Sequence, residues 1–147
     1  MRSTGRNSRL AAWLLAWTCT AASLTSAHAD GDPASGAKIF QQCEQCHTAQ
    51  KGVNGFGPSL YCVVSRPAGS IADYDYSPAM QEAAKKSLAW TEANIVAYLE
   101  NPHKFLEDFD QSPGIRNKMP FMLADMQQRQ DVVAYLKSQS AGCNGSP

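Results

Sequence analysis

The stretch "QQCEQCHTAQKG" at residues 41–52 decides how the rest of the chain is read. Cys43 and Cys46 stand three apart and His47 follows at once. Upstream, Asp32-Pro33 gives an N-cap acceptor followed by proline at the first helical position. Ile39 and Phe40 lie three and four residues before Cys43, so one face of that helix leads into the motif. Downstream, Gly52, Gly55, Gly57, Pro58, Pro67 and Gly69 punctuate residues 50–76, which read as loops and turns.

Farther along, helical signals return. Ser77-Pro78 repeats the cap-plus-proline pattern and predicts a short helix to about Lys86. Thr91 caps the next, with Trp90 and Ile95 placed as a hydrophobic staple and Ile95, Tyr98 and Leu99 along one face. Asn101-Pro102 ends it, because the residue before proline avoids helical dihedrals. Residues 103–118 read as another loop, with Pro113-Gly114 inside it. Asp125 opens the last helix with Gln128 at the capping-box position, and Val132, Val133 and Leu136 form its buried stripe. No strand pattern and no repeat is found. The expectation is a small all-α domain of three to four helices with long loops, too little helix to build a core unaided.

The first 29 residues read as a cleaved secretory signal peptide. "MRSTGRNSR" is basic without acids, residues 10–24 are apolar with small interruptions, and "AHA" ends at Ala29. An uncleaved anchor is the rival reading, but the run is short for a span and no second run is long enough. Residues 30–147 are then a single domain. The whole chain balances 13 Lys+Arg against 13 Asp+Glu. Arg2, Arg6 and Arg9 leave with the leader and no acid does, so the remainder is net negative. With no basic patch of interleaved aromatics, nucleic acid is not an expected partner. Export to the periplasm places Cys43, Cys46, Cys62 and Cys143 outside the reducing cytosol, where each needs a ligand, a covalent group or a partner.

Four chemistries compete for Cys43, Cys46 and His47. Zinc needs four ligands, and no second pair is suitably spaced. A thioredoxin-like pair belongs beside a βαβ pattern, which is absent. A plain disulfide leaves His47 without a role. A covalent haem uses all three: the thiols add across two vinyl groups and the histidine reaches the iron. It also gives the loops a large apolar body to wrap, so that fold and cofactor depend on each other. The opposite iron ligand then separates ligand binding from electron transfer. Met80, His103, Met119, Met122 and Met126 are the candidates. Met126 reads as helix packing and His103 as a solvated surface group. Met119 stands out in "PGIRNKMPF", where Pro120 stiffens a turn-rich loop; Met122 is its nearest rival.

These segments together resemble the class I cytochromes c, the small soluble haem carriers of mitochondria and the bacterial periplasm. The likeness runs from about Gly36 to Lys137: "GAKIFQQCEQCHT", "GPSL" (57–60), "RPAGSIADYDYSPAM" (66–80), "WTEANIVAYLENP" (90–102), "NKMPF" (117–121) and "RQDVVAYLK" (129–137), in family order. The resemblance implies one haem c attached through Cys43 and Cys46, with His47 as proximal and Met119 as distal iron ligand. It implies that the Pro58 carbonyl orients His47, that Tyr98 lies near the methionine sulfur, and that Arg66, Tyr76 and Trp90 hold the haem propionates, with Ser77 and Asn117 assisting. Gly36 and Phe40 would pack against Val132 and Tyr135. Cys62, Ser65 and Asp73 stand where the family commonly has glycine, and "HKFLEDFDQS" adds acids before the methionine loop. The loop after "GPSL" would lie near the end of the last helix, which suggests a Cys62–Cys143 disulfide.

The implied function is that of a monomeric one-electron carrier, not an enzyme, with no stable membrane insertion. Its donors would be a cytochrome bc complex or a periplasmic dehydrogenase, and its acceptors a terminal oxidase or a photosynthetic reaction centre. The family's usual ring of lysines is thin here, reduced to Lys51, Lys118 and Arg116. Two other functions are weighed: a haem sensor or peroxidase-like enzyme with a displaceable methionine, and a fixed electron-entry subunit of a larger complex.

Overall fold

A computed structural model describes residues 1, 30–140 and 143. The leader assigned to residues 1–29 lies outside the described residues except for residue 1. Among the described residues there are five α-helices and no strand, only an isolated bridge between Pro67 and Ala89. None of these helices is long and apolar enough to cross a membrane.

Helix α1 spans Pro33–Phe40, and the Asp32 carboxylate accepts from the N–H groups of Ala34 and Ser35. A short 3-10 turn at Cys43–Gln45 follows and presents the motif. Helix α2 spans Pro78–Lys85 under a Ser77 cap, and α3 spans Glu92–Glu100 under a Thr91 cap. The last helix, α5, spans Met126–Ser138, and Asp125 accepts from Gln128 N–H at its start.

The fourth helix corrects the sequence reading. Residues 103–118 are not one loop: α4 occupies Pro102–Asp110. Asn101 both ends α3 and begins α4. Its extended backbone (φ −156°, ψ 94°) breaks the first helix, and its side chain accepts from Lys104 N–H to cap the second. The same Asn-Pro pair is thus a stop signal and the cap-plus-proline start signal seen at Asp32-Pro33 and Ser77-Pro78. Helix α4 is amphipathic: Leu106 is fully buried, and the Phe105 ring packs edge-on to Tyr98 at 5.7 Å. Gln111 closes it in the left-handed region at φ 53°. Among the described residues there are therefore five helices rather than three or four.

The terminal helices α1 and α5 cross at Gly36. A Cβ there would lie 2.0 Å from the Asp131 carbonyl oxygen, so any side chain would force the helices apart. Phe40 and Tyr135 pack at the crossing with ring centroids 5.0 Å apart, and Val132 is buried beside them. The Asp131 carboxylate, itself buried, accepts from Asp32 N–H at 2.8 Å and from Gln127 at 2.9 Å. Buried polar groups need such partners.

Cys62, Ser65 and Asp73 adopt the positive φ that their places imply, at 51°, 69° and 58°. Ser87 does so too. Cys62 and Cys143 are joined in a disulfide, with Cα atoms 5.8 Å apart and a sequence separation of 81.

Candidate functional site

The helices leave a cavity of about 460 Å³ between them. Its walls come from α1 and the Cys-bearing turn, the 56–66 loop, α2 and α3, the 117–121 loop and α5. All ten residues expected to meet a cofactor line it: Cys43, Cys46, His47, Pro58, Arg66, Tyr76, Trp90, Tyr98, Asn117 and Met119. Most of the remaining lining is apolar, with Phe40, Val63, Ile95, Leu99, Phe121 and Leu136 prominent. Predominantly apolar walls with a few placed polar groups are the usual form of a cofactor cavity.

His47 is the most closely determined of these residues. Its Nδ1 donates to the Pro58 carbonyl at 2.7 Å. A carbonyl can only accept, so the proton is on Nδ1 and Nε2 keeps its lone pair. Burial lowers the imidazole pKa, with the Pro58 bond opposing it, and so favours the neutral ring a metal needs. Gly57 makes room for this orientation, since a Cβ there would come within 2.3 Å of the ring. The loop around it is tied down by Gly57 N–H to the Cys46 carbonyl (2.8 Å) and Leu60 N–H to the Thr48 carbonyl (2.7 Å). The Ser59 hydroxyl donates to the Gln50 carbonyl at 2.6 Å.

Burial pushes the Cys43 thiol up to about 11, with Glu44 and Cys46 adding to the effect. Such a thiol carries almost no thiolate at neutral pH, which does not suit disulfide exchange. Among the described residues, no three His, Cys, Asp or Glu side chains cluster as a metal site of their own.

Arg66 donates to the Tyr61 carbonyl at 2.8 Å and the Ser59 carbonyl at 2.9 Å. Its Nε is buried on the cavity wall without a partner. A buried unpaired donor on a cation suits an anionic group of the ligand, such as a carboxylate. The Tyr76 hydroxyl accepts from Ile71 N–H at 3.2 Å. Trp90 packs edge-on to Tyr98 with centroids 4.9 Å apart. Burial raises the Tyr98 hydroxyl to about 12, and the Asn117 side chain partly offsets this.

The candidates for a second iron ligand separate clearly. Met119 and Met80 line the cavity; Met122, Met126 and His103 do not. Met122 is 58 % exposed. His103 faces out and pairs with Glu107 at 3.3 Å. Met126, expected to be packed, is 53 % exposed. It opens α5, whereas α1 meets that helix around Asp131 and Tyr135, and Met126 lies with Gln127 and Gln128 on exposed positions, touched through its sulfur by Arg129 at 3.6 Å. Met80 belongs to α2, whereas Met119 sits on a loop framed by Asn117. The Asn117 Oδ1 accepts from Lys118 N–H at 2.8 Å and Met119 N–H at 3.4 Å, and its Nδ2 donates to the Met119 carbonyl at 3.3 Å.

Three supporting residues were not found by sequence reasoning. The Ser59 hydroxyl and the Tyr74 hydroxyl, which donates to the Phe56 carbonyl at 2.6 Å, stiffen the loop opposite the motif. The alternation "YDY" at 74–76 was a signal for Tyr74. Buried Arg129 donates to the carbonyls of Leu123 (2.9 Å) and Ala124 (2.8 Å) and to Glu100 (3.2 Å), anchoring the chain just after Met119. Two of its acceptors are backbone carbonyls and the third, Glu100, comes from another helix, so no side-chain pattern announces it.

A family model described as cytochrome c matches residues 33–140. A cytochrome c2 of Rhodopseudomonas palustris is 43% identical over 131 residues, covering 84% of this chain and 92% of that protein. A cytochrome c2 iso-2 of Rhodospirillum centenum is 42% identical, over 76% of this chain and 98% of its own. Among solved structures, cytochrome c2 from Rhodospirillum centenum superposes with a TM-score of 0.71 at 40% identity, covering 75% of this chain and 99% of that one. Ferric cytochrome c-550 from Paracoccus versutus gives 0.68 at 34% identity, over 75% and 98%.

Proposed function

This chain belongs to the cytochrome c family, and from that premise we propose how its residues divide the work of carrying an electron. It is a one-electron carrier with a haem c attached through Cys43 and Cys46. When bound, the haem supplies an iron that alternates between ferric and ferrous states. The cavity fits that group: thiols at its edge, a neutral imidazole inside, apolar walls and an unpaired guanidinium nitrogen.

His47 and Met119 would supply the protein's two ligands to the haem iron. The observation that carries this is the pairing of His47, oriented by Pro58, with Met119 on the lining of the same cavity. Imidazole with thioether favours ferrous iron and raises the potential. The chain's part is to keep both ligands in place in both states and to exclude water, so that little rearranges when charge changes. Arg66, Tyr76 and Trp90 would hold the propionates, with Ser77 and Asn117 assisting. Tyr98 supports the methionine side through Asn117. No carboxylate and no second histidine lines the cavity. Peroxide chemistry would therefore lack the carboxylate or second imidazole best suited to moving protons at neutral pH, and the carrier reading is preferred to a peroxidase-like enzyme.

Residues 1–29 direct export and are removed, leaving residues 30–147 as a monomer in the periplasm. A cytochrome bc complex or a periplasmic dehydrogenase supplies electrons; a terminal oxidase or a reaction centre takes them. The deciding experiment is the visible and near-infrared spectrum of the ferric protein, wild type and Met119→Ala. A near-infrared sulfur-to-iron band present in the first and lost in the second is the expected result. A band that survives the substitution transfers the role to Met80.

A further inference from the structure

An electron carrier must present its cofactor's edge to a partner, and the surface beside Cys46 has an unusual character. Phe56 is 90 % exposed and Val53, on the same loop, is 45 % exposed. Single exposed apolar residues are common on any protein. Here, however, Phe56 lines both the mouth of the cavity and a shallow depression alongside exposed Cys46. The loop is also fixed rather than loose. The Tyr74 hydroxyl donates to the Phe56 carbonyl, Gly55 N–H to the Gly57 carbonyl, and the Thr48 hydroxyl to the Val53 carbonyl. An aromatic held outward in this way loses little conformational freedom when something covers it.

The charges around it largely cancel. Lys118, the cation at the cavity mouth, donates to both the backbone and the carboxylate of Asp75 at 2.6 Å. That bond, together with the charge of Lys118, holds the Asp75 carboxyl below its ordinary range. Lys51 on the loop and Glu44 in the depression are of opposite sign, and Arg116, whose charge also acts on Asp75, is the cation left over of the three. A surface of this kind offers no strong field to steer an oppositely charged partner.

We infer that this chain docks through an apolar patch centred on Phe56 and Val53, onto a redox protein whose own docking face is apolar and weakly charged. The inference rests on the electron-carrier reading above. Each copy of the protein itself carries such a face, so electron self-exchange between ferric and ferrous copies is a direct probe.

The experiment is nuclear magnetic resonance of mixed ferric and ferrous holoprotein at two salt concentrations. The wild-type self-exchange rate should change less than about threefold between about 0.01 M and 0.15 M salt, although the screening length shrinks from about 30 to 8 Å. Phe56→Ser should slow exchange about tenfold and Phe56→Leu should restore most of it, as for an aromatic contact at the centre of an interface. Val53→Ser, outside the cavity lining, should keep the wild-type spectrum and midpoint potential and slow exchange about threefold. A wild-type rate that rises steeply with salt, or a Phe56→Ser rate equal to wild type, overturns the patch and leaves the carrier standing. A holoprotein with no reversible one-electron couple overturns both.

Discussion

The two walls of the haem cavity are built on different plans. The His47 wall is determined several times over. The ring is held by Pro58, shaped by Gly57, and backed by a loop bonded to itself and to Arg66. A disulfide fastens that loop to the end of α5. The Met119 wall is a span between two pins. At one end the Arg116 carbonyl accepts from Ala79 N–H at 3.2 Å; at the other Leu123 N–H donates to the Leu99 carbonyl at 2.8 Å. Between them the Asn117 side chain supplies the bonds at Met119 itself. The difference follows the ligands. An imidazole has a second nitrogen that can be hydrogen-bonded and so oriented. A thioether has no donor to anchor, so its position depends on the length and stiffness of the chain that carries it.

Breaking this contrast should produce a graded series. His47→Ala removes the point on which the first wall converges. It should prevent stable haem-loaded protein from accumulating, a loss at least as large as the roughly 5 kcal/mol that a marginal domain has in total. Haem staining and a circular-dichroism melt read this directly. Met119→Ala should leave a folded protein without the near-infrared band and with a lowered midpoint potential. Met119 is half-buried, so the variant's stability should fall by about 2 kcal/mol, the low end for a methionine cut to alanine.

Reducing the Cys62–Cys143 bridge should cost about 2–4 kcal/mol in denaturant unfolding. The near-infrared band should persist, because Pro58 and Gly57 still hold the histidine; loss of the band would show that the first wall depends on its tether. Tyr98 gives a pH test. Its folded value, about 12, lies above the ordinary 10. Below pH 10 both states hold the proton; between 10 and 12 the unfolded chain releases it first. Stability should therefore fall by about 2–3 kcal/mol across that window, and Tyr98→Phe should flatten the slope. Asn117→Ala is the smallest change, about 1 kcal/mol. It should nonetheless weaken the near-infrared band, which disulfide reduction spares.

Much of the site was legible because its residues announce themselves locally. Cys43, Cys46 and His47 form a contiguous motif, and Asp32-Pro33, Ser77-Pro78, Thr91 and Asp125 mark helix starts by cap chemistry. The Arg66, Tyr76 and Trp90 positions came from resemblance, since an arginine or an aromatic alone says nothing of what it faces. The misses are of another kind. Helix α4 was hidden because Asn101-Pro102 is both an end and a beginning, and a stop signal was already sufficient to explain it. Met126 was misplaced because apolarity predicts burial only where a neighbouring element reaches. Arg129 was passed over because its partners are main-chain carbonyls assembled by folding.

The crossing of α1 and α5 has a consequence for the order of events during synthesis. Asp32 and Asp131 meet across 99 residues of sequence, and Gly36 admits the last helix at main-chain distance. The domain cannot close until nearly all of it has been made. On the export proposed above, a chain threaded amino end first delivers Cys43, Cys46 and His47 early and α5 last. For that interval the attachment site is open while the lid of the fold is still missing, which leaves time for loading before closure. Long-range closure of this sort is slow, and the delay lengthens the time available for attaching the group around which the chain then folds.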